Sequence, residues 1–311
     1  MDKKKLRGVL CALIGGMCWG FSGCFGQYLF SEKNMDSYWL TTVRLLSSGI
    51  VLIIISLFAK RKNLIETLKC KKDFLRITCF GIFGLMLCQL SYLTAIKYTN
   101  AATATVIQYS GPVLVMVVVC VISRKLPKIP EVASVILATV GTFLIATHGN
   151  PSNLAISKQG LVWCISAALS VVLYTLIPGD VTERRSSVVV SGLGMTMGGI
   201  VLFFALRVWR IPVTIDLSAF LALAGIILIG TVAAFSLYLQ AISDIGPVKA
   251  SILASVEPVT TAVVSWLWLG SRFAPMDLLG FACVVSTVFL LALKKDGEAQ
   301  AEKPSADLKQ E

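Results

Sequence analysis

Tyr92-Leu93-Thr94-Ala95-Ile96, followed by Thr103-Ala104-Thr105-Val106-Ile107-Gln108-Tyr109-Ser110-Gly111-Pro112-Val113, is written a second time in this chain. The echo is Tyr238-Leu239-Gln240-Ala241-Ile242, then Lys249-Ala250-Ser251-Ile252-Leu253-Ala254-Ser255-Val256-Glu257-Pro258-Val259. The offset holds at about 146 residues from Tyr92 and Tyr238 through Pro112 and Pro258, without a gap. Downstream, Phe143-Leu144 falls on Phe289-Leu290 in the same register. A fixed-period echo of this kind marks an internal repeat, so the chain is two halves of one design.

Composition identifies the solvent of those halves. Of 311 residues, 56% are hydrophobic and only 14% charged, and the mean hydropathy is +0.81. A soluble domain is about a quarter charged. Apolar runs of some 20 residues, at ~1.5 Å rise each, cross a ~30 Å hydrocarbon layer as helices. Such runs are predicted near 8–29, 39–59, 74–96, 102–122, 131–147, 160–177, 187–207, 218–241, 249–268 and 276–293, the fifth and sixth being the shortest. The expected fold is therefore all-α and integral to the membrane, with about ten transmembrane helices. The first run follows Lys3, Lys4, Lys5 and Arg7; it is too long for a signal peptide and lacks a small-residue cleavage site, so it reads as a retained span.

Alternate loops differ in charge. One set holds Lys3 to Arg7, Lys60, Arg61, Lys62, Lys69, Lys71, Lys72, Arg76, Arg124, Lys125, Lys128, Arg184, Arg185, Lys249, Lys294 and Lys295. The other holds Lys33, Lys97, Lys158, Arg207, Arg210 and Arg272. The positive-inside rule places the first set, and with it both termini, in the cytoplasm. The formal charge of +11 is then a topology signal with some attraction to anionic lipid of the lipid bilayer, and calls for no nucleic-acid partner.

Residues 1–148 form the first five-helix repeat, 158–294 the second, and 295–311 a charged cytoplasmic tail with no apolar face, expected to be disordered. Five is odd, so the second repeat enters the membrane from the opposite side. Inverted repeats with a substrate site where they meet are a recurring architecture of secondary transporters.

Trp19-Gly20 in the first span, Arg44 in the second, Ala95-Ile96 at the end of the third, Pro112 in the fourth, Ser255-Val256-Glu257-Pro258-Val259 in the ninth and Trp268-Leu269-Gly270 after it together carry a family resemblance. Over about residues 8–293 the chain resembles the drug/metabolite transporter superfamily, in its ten-helix form with two EamA-type repeats. The resemblance implies export or exchange of small metabolites such as amino acids, sugars or drugs across the plasma membrane. One departure stands out: members commonly carry Leu-Gly-Glu where this chain has Leu269-Gly270-Ser271.

Thr105, Gln108, Tyr109 and Pro112 share one helical stripe, and the repeat carries the stripe onto Ser251, Ala254, Ser255 and Pro258. Polar groups facing lipid would lack partners, so the stripes are expected to line a cavity or to tighten helix packing. A mid-span proline also frees a carbonyl one turn upstream. Glu257, about eight residues into its span, is the sharpest single candidate, either for proton coupling and charge recognition or as a hydrogen-bonded structural acid. Arg44, only a turn or so into its span, could snorkel to the interface, pair with Glu257, or hold a substrate carboxylate. Trp19, Gln89, Tyr92, Trp163, Tyr174 and Tyr238 are further wall candidates.

Other motifs point elsewhere less well. Gly20-Phe21-Ser22-Gly23 has the shape of an intramembrane serine protease motif, which needs a base within hydrogen-bond reach, and the single histidine, His148, falls at a predicted membrane edge. Gly16-x-x-x-Gly20 and Gly194-x-x-x-Gly198 read as helix-packing surfaces. Nine cysteines without a Cys-x-x-Cys pair suggest neither a disulfide framework nor a metal site, and no cofactor motif is present. The expectation is a non-enzymatic secondary transporter of a small molecule, with protons as a candidate coupling ion and a homodimer left open. A receptor or scaffold using the same fold is the alternative, ahead of a membrane-embedded enzyme.

Overall fold

The structure, a computed structural model, describes residues 3–124, 126–127, 129–150, 155–178, 181–245, 250, 253–254, 256–287 and 290. The predicted tail 295–311 lies outside them, as do Ser251, Ser255 and the echo residue Phe289. All regular structure among the described residues is helical. A membrane interior offers no water to backbone groups, and a helix satisfies its own.

Helix α1 is Lys3–Ser31, α2 Ser37–Ala59 and α3 the short Arg61–Lys69. Helix α4 runs Lys71–Tyr98, and the fourth predicted span divides into α5, Ala101–Gln108, and α6, Gly111–Ser123. Next come α7 (Ile129–Thr147), α8 (Lys158–Leu176), the single turn α9 (Val181–Arg184) and α10 (Ser187–Ala205). Helix α11 covers 217–245, α12 is Val256–Leu269 and α13 is Pro275–Thr287. Among the described residues, seven helices are long and apolar enough to cross a membrane, and three shorter apolar ones lie at the fifth, ninth and tenth predicted spans. The sixth, Lys158–Leu176, is not among the short ones.

Short polar side chains start the helices that leave one end of the bundle. Asp36 accepts from the Tyr38 and Trp39 amides at 2.9 and 3.0 Å, Asn100 from Thr103 at 2.8 Å, Ser157 from Gly160 at 3.0 Å and Asp216 from Ala219 at 2.8 Å. Each satisfies an amide that the first helical turn leaves unpaired. This is the far end. The opposite, basic end carries Lys3 to Arg7, Lys60 to Arg76, Arg124 and Arg184-Arg185.

Packing repeats with the halves exchanged. Helix α1 lies against α11 and α12, and α8 lies in the same way against α4 and the α5–α6 pair. Between them α2 packs along α10, with α2 also meeting the middle of α11 and α10 the middle of α4. Those two middles are π-turns, Phe80–Met86 and Gly225–Ala233. Gly84 and Gly230 stand about 146 residues apart within them.

Candidate functional site

The fourth predicted span is interrupted at Tyr109-Ser110, between α5 and α6. Pro112 stands in the first turn of α6, where its missing N–H costs nothing in that helix and breaks the ladder upstream. Its side chain lies outside the described residues. The break turns Tyr109 toward α12, where its hydroxyl donates to Glu257 Oε2 at 2.9 Å. The Ala254 carbonyl lies 3.4 Å from the same hydroxyl. One residue earlier, Gln108 Nε2 approaches Cys88 Sγ at 3.5 Å.

Glu257 is placed by close contact between α1 and α12. A Cβ built on Gly20 would come within 3.0 Å of the Glu257 carbonyl oxygen, and one on Gly16 within 2.7 Å of the Ala254 oxygen. The small-residue pair therefore lets α1 lie directly on the backbone that carries the carboxylate, as such pairs do in membranes. Trp19, on the same helix, is half-buried and packs on Tyr238 and Phe235 with ring centroids 5.1 and 5.5 Å apart. Across the site Tyr174 packs on Phe80 at 5.8 Å, and Gln89 is half-buried on α4.

Arg44 does not snorkel. It is 4% exposed, and its Nε donates to Thr231 Oγ1 at 3.2 Å. Thr231 is presented by the second π-turn, and its hydroxyl also donates to the Ile226 carbonyl at 3.0 Å. The reason is geometric: α2 crosses α11 at this level, and a guanidinium reaching inward finds an acceptor sooner than one reaching for the interface. Arg44 Nη1 is buried with no hydrogen-bond partner among the described residues. Glu257, Tyr92 and Cys88 all lie within Coulombic range of its charge.

Toward the far end the site closes. The Tyr92 and Thr105 hydroxyls share a hydrogen bond of 2.8 Å, and both side chains are buried. Thr105 thus makes a helix–helix contact here, while Gln108 and Tyr109 stay half-buried. Cys24 Sγ lies 3.5 Å from Ser265 Oγ. Gln27 spans both halves, accepting from the Ala101 amide at 2.8 Å and donating to Ser271 Oγ at 3.1 Å. Ser271 is the residue standing in place of the common Glu, and here it ties α12 to α1. It follows Gly270, whose φ of +64° gives the left-handed turn that ends a helix, with the Ser271 amide on the Ser265 carbonyl at 3.1 Å. Tyr28 stacks on Trp268 at 5.5 Å above this seal.

Two candidates stand apart. The Ser22 hydroxyl is buried without a partner among the described residues, against Gly230 of the second π-turn. His148 lies at the far end, its Nδ1 2.6 Å from Asp277 Oδ1. Sequence reasoning missed Thr231, Gln27 and both π-turns. Gly84 and Gly230 shared the repeat register and were the one available signal; a widened helical turn leaves no other periodic trace.

The sequence profile of the EamA-like transporter family matches residues 6–147 and again 158–293. The chain is 36% identical over 297 residues to "Uncharacterized inner membrane transporter YicL" of Salmonella typhimurium, covering 95% of this chain and 98% of that one. It is 23% identical to "Uncharacterized transporter YwfM" of Bacillus subtilis, over 94% and 96% of the two chains. A solved crystal structure, 15% identical, aligns over 92% of this chain and 96% of its own with a TM-score of 0.62, which is a likeness of fold.

Proposed function

The chain belongs to the EamA-like transporter family and is a multi-pass protein of the cell membrane, and on that premise we propose that it is a secondary transporter working by alternating access. It has ten spanning helices in two inverted five-helix repeats, 1–148 and 158–294, with both termini in the cytoplasm. It moves a small metabolite, an amino acid, sugar or drug-like compound, by export or by proton-coupled exchange.

The observation that carries this reading is the Tyr109–Glu257 hydrogen bond of 2.9 Å. It joins the broken helix of one half to the corresponding helix of the other, and substrate sites of inverted-repeat transporters lie where the halves meet. An ionisable group there is costly unless it has work to do. Glu257 takes the proton or the cationic part of the substrate, Tyr109 holds its carboxylate in place, and Arg44 supplies the opposing charge. Trp19, Tyr174, Gln89 and Gln108 form the wall, with Ser251, Ser255 and Pro112 added from the stripes.

The contrast in exposure supports a state shut at the far end. Tyr92, Thr105, Thr261 and Ser265 are buried, whereas Gln108, Tyr109, Tyr174, Tyr238 and Glu257 are half-exposed. Helix α5 packs on α12 as well as on α1, α4 and α8, while α6 packs chiefly on α8 and α7. Bringing α6 onto α12 closes the basic end, and the paired π-turns are where such motion is absorbed, since π-turns concentrate at functional irregularities.

The test is efflux from proteoliposomes loaded with a mixed metabolite pool and read by mass spectrometry, with and without a pH gradient. Selective loss of one class, faster with the gradient, is the expected result. Selective loss indifferent to the gradient removes the proton role. Retention of every compound by folded protein, with binding still measurable, overturns transport in favour of a receptor.

A further inference from the structure

A second site lies on the outer surface of the bundle, away from the Tyr109–Glu257 pair. Helices α6 and α7 and the connection between them line a groove of about 550 Å³ near the basic end, within the ~300–1,000 Å³ of small-molecule sites. Val117, Cys120 and Val121 of α6 form one wall and Val132, Val135 and Ile136 of α7 the other. The single charged residue of the lining is Arg124. It follows the last residue of α6 with φ +52°, so the chain turns back on itself there and the guanidinium belongs to the groove as well as to the basic end. The Arg124 guanidinium has no hydrogen-bond or ion-pair partner among the described residues.

Each feature selects the occupant. An outward apolar groove on a protein embedded in the membrane meets acyl chains before anything else. A guanidinium at the end of that groove, at interface depth, pairs with phosphate by charge and by its fork of donors. The surrounding sequence strengthens the charge bias: residues 124–131 hold Arg124, Lys125 and Lys128 against one carboxylate, Glu131. Basic pockets between helix ends bind anionic headgroups for this reason. Val121 and Ile122 at 71% exposure, Leu126 at 93% and Ile129 at 87% surround it with apolar surface that a second chain would need to cover and that lipid covers anyway.

We propose that the α6–α7 groove binds one anionic phospholipid of the leaflet at the basic end, its phosphate on Arg124 and an acyl chain between α6 and α7. Because α6 is also the helix that closes on α12 in the proposed cycle, a lipid seated there biases that closure. The binding itself does not depend on what the protein transports.

The experiment is native mass spectrometry of the full chain in mild detergent, titrated with dioleoyl phosphatidylglycerol and dioleoyl phosphatidylcholine. The parent protein should retain the anionic lipid about fivefold better, the size of one interfacial charge contact. Arg124→Gln should bring the two lipids to parity, and Arg124→Lys should keep most of the preference. Cys120→Trp, which fills the groove, should lower retention of both. Equal retention by the parent overturns the proposal, as does a preference untouched by Arg124→Gln. A parent dimer that Cys120→Trp converts to monomer, with lipid retention unchanged, assigns the groove to a second copy of the chain instead.

Discussion

At Phe80–Met86 the chain widens its helical turn, and Gly81 settles against Gly194 and Gly198 of α10 in a contact made of backbone alone. At Gly225–Ala233, about 146 residues later, the same widening brings Gly230 against Ser22 and offers the Thr231 hydroxyl to Arg44. The repeat has kept the irregular backbone and changed the side chains. Thr231 stands where the first half has Leu85, Arg44 where the second has Val190, and Glu257 where the first has Gly111. Tyr109 likewise matches Ser255. Arg44, Thr231, Glu257 and Tyr109 are therefore each present in one copy only, whereas Tyr92 recurs as Tyr238 and Thr105 as Ser251. On the proposed transport cycle, two halves of matched backbone would let the bundle rock between equivalent packings, while a single set of charged groups would bind one ligand in one orientation.

The largest effect is expected where the halves differ most in charge. Glu257→Gln should abolish proton-coupled movement in the proteoliposome assay while leaving the melting temperature in detergent unchanged. Flux and proton movement like the parent's would make Glu257 a structural acid.

Thr231→Leu gives the second π-turn the side chain of the first. It strips Arg44 Nε of its acceptor and should cost about 1–3 kcal/mol, the penalty of a buried donor left unpaired. Adding Arg44→Met should recover most of that loss, because removing both partners removes the burden of desolvation. A double variant as unstable as the single one would mean that the π-turn itself, and not the bond to Arg44, needs the threonine.

Tyr109→Phe removes one hydrogen bond and retains the ring. Taken through a double-variant cycle with Glu257→Gln, the coupling should be about 1.5–3 kcal/mol if the carboxylate is ionised and about 0.5–1.5 kcal/mol if it is protonated. Coupling near zero would separate the two residues in function despite their 2.9 Å contact. Gln108→Ala and Tyr109→Ala should shift substrate preference in the efflux assay, and unchanged selectivity in both would return that stripe to helix packing.

The smallest effect concerns the ends. Lys33, in the α1–α2 connection, meets Asp216 at the start of α11 at 2.6 Å. In the repeat-related place at the basic end, Arg184 and Arg185, between α8 and α10, meet Asp73 at the start of α4 at 3.2 and 2.9 Å. The Lys33 hydrogen bond, with help from the Ala219 amide and the Ser218 hydroxyl, holds the Asp216 carboxyl down at about 2, against about 3.9 in an unfolded chain. A depressed folded value stabilises fully above the unfolded one and is lost as pH falls through the folded one. The melting-temperature gap between the parent and Asp216→Asn should thus be constant from neutrality to about pH 5 and close below about pH 4. The pair is solvent-exposed, so the gap should also be small and shrink with salt. A gap that widens on acidification would contradict this sign.

Much of the architecture was legible because membrane solvation writes itself into composition. A helix that must meet lipid carries some 20 apolar residues, its breaks carry Pro and Gly, and its caps are short polar groups such as Asp36, Asn100, Ser157 and Asp216. The repeat, the candidate Glu257 and its neighbour Tyr109 on the corresponding helix were visible in the same way. What the amino-acid order could not hold is which buried polar groups meet. The Tyr109–Glu257, Arg44–Thr231 and Gln27–Ser271 contacts each join residues more than 140 positions apart. Each depends on how closely two helices approach, and that distance is set by glycines on the facing surface and by π-turns that shift the register by a fraction of a turn. Local sequence determines that a helix forms and which solvent it prefers; only the packed bundle determines which of its polar atoms find partners and which, like Arg44 Nη1, find none among the described residues.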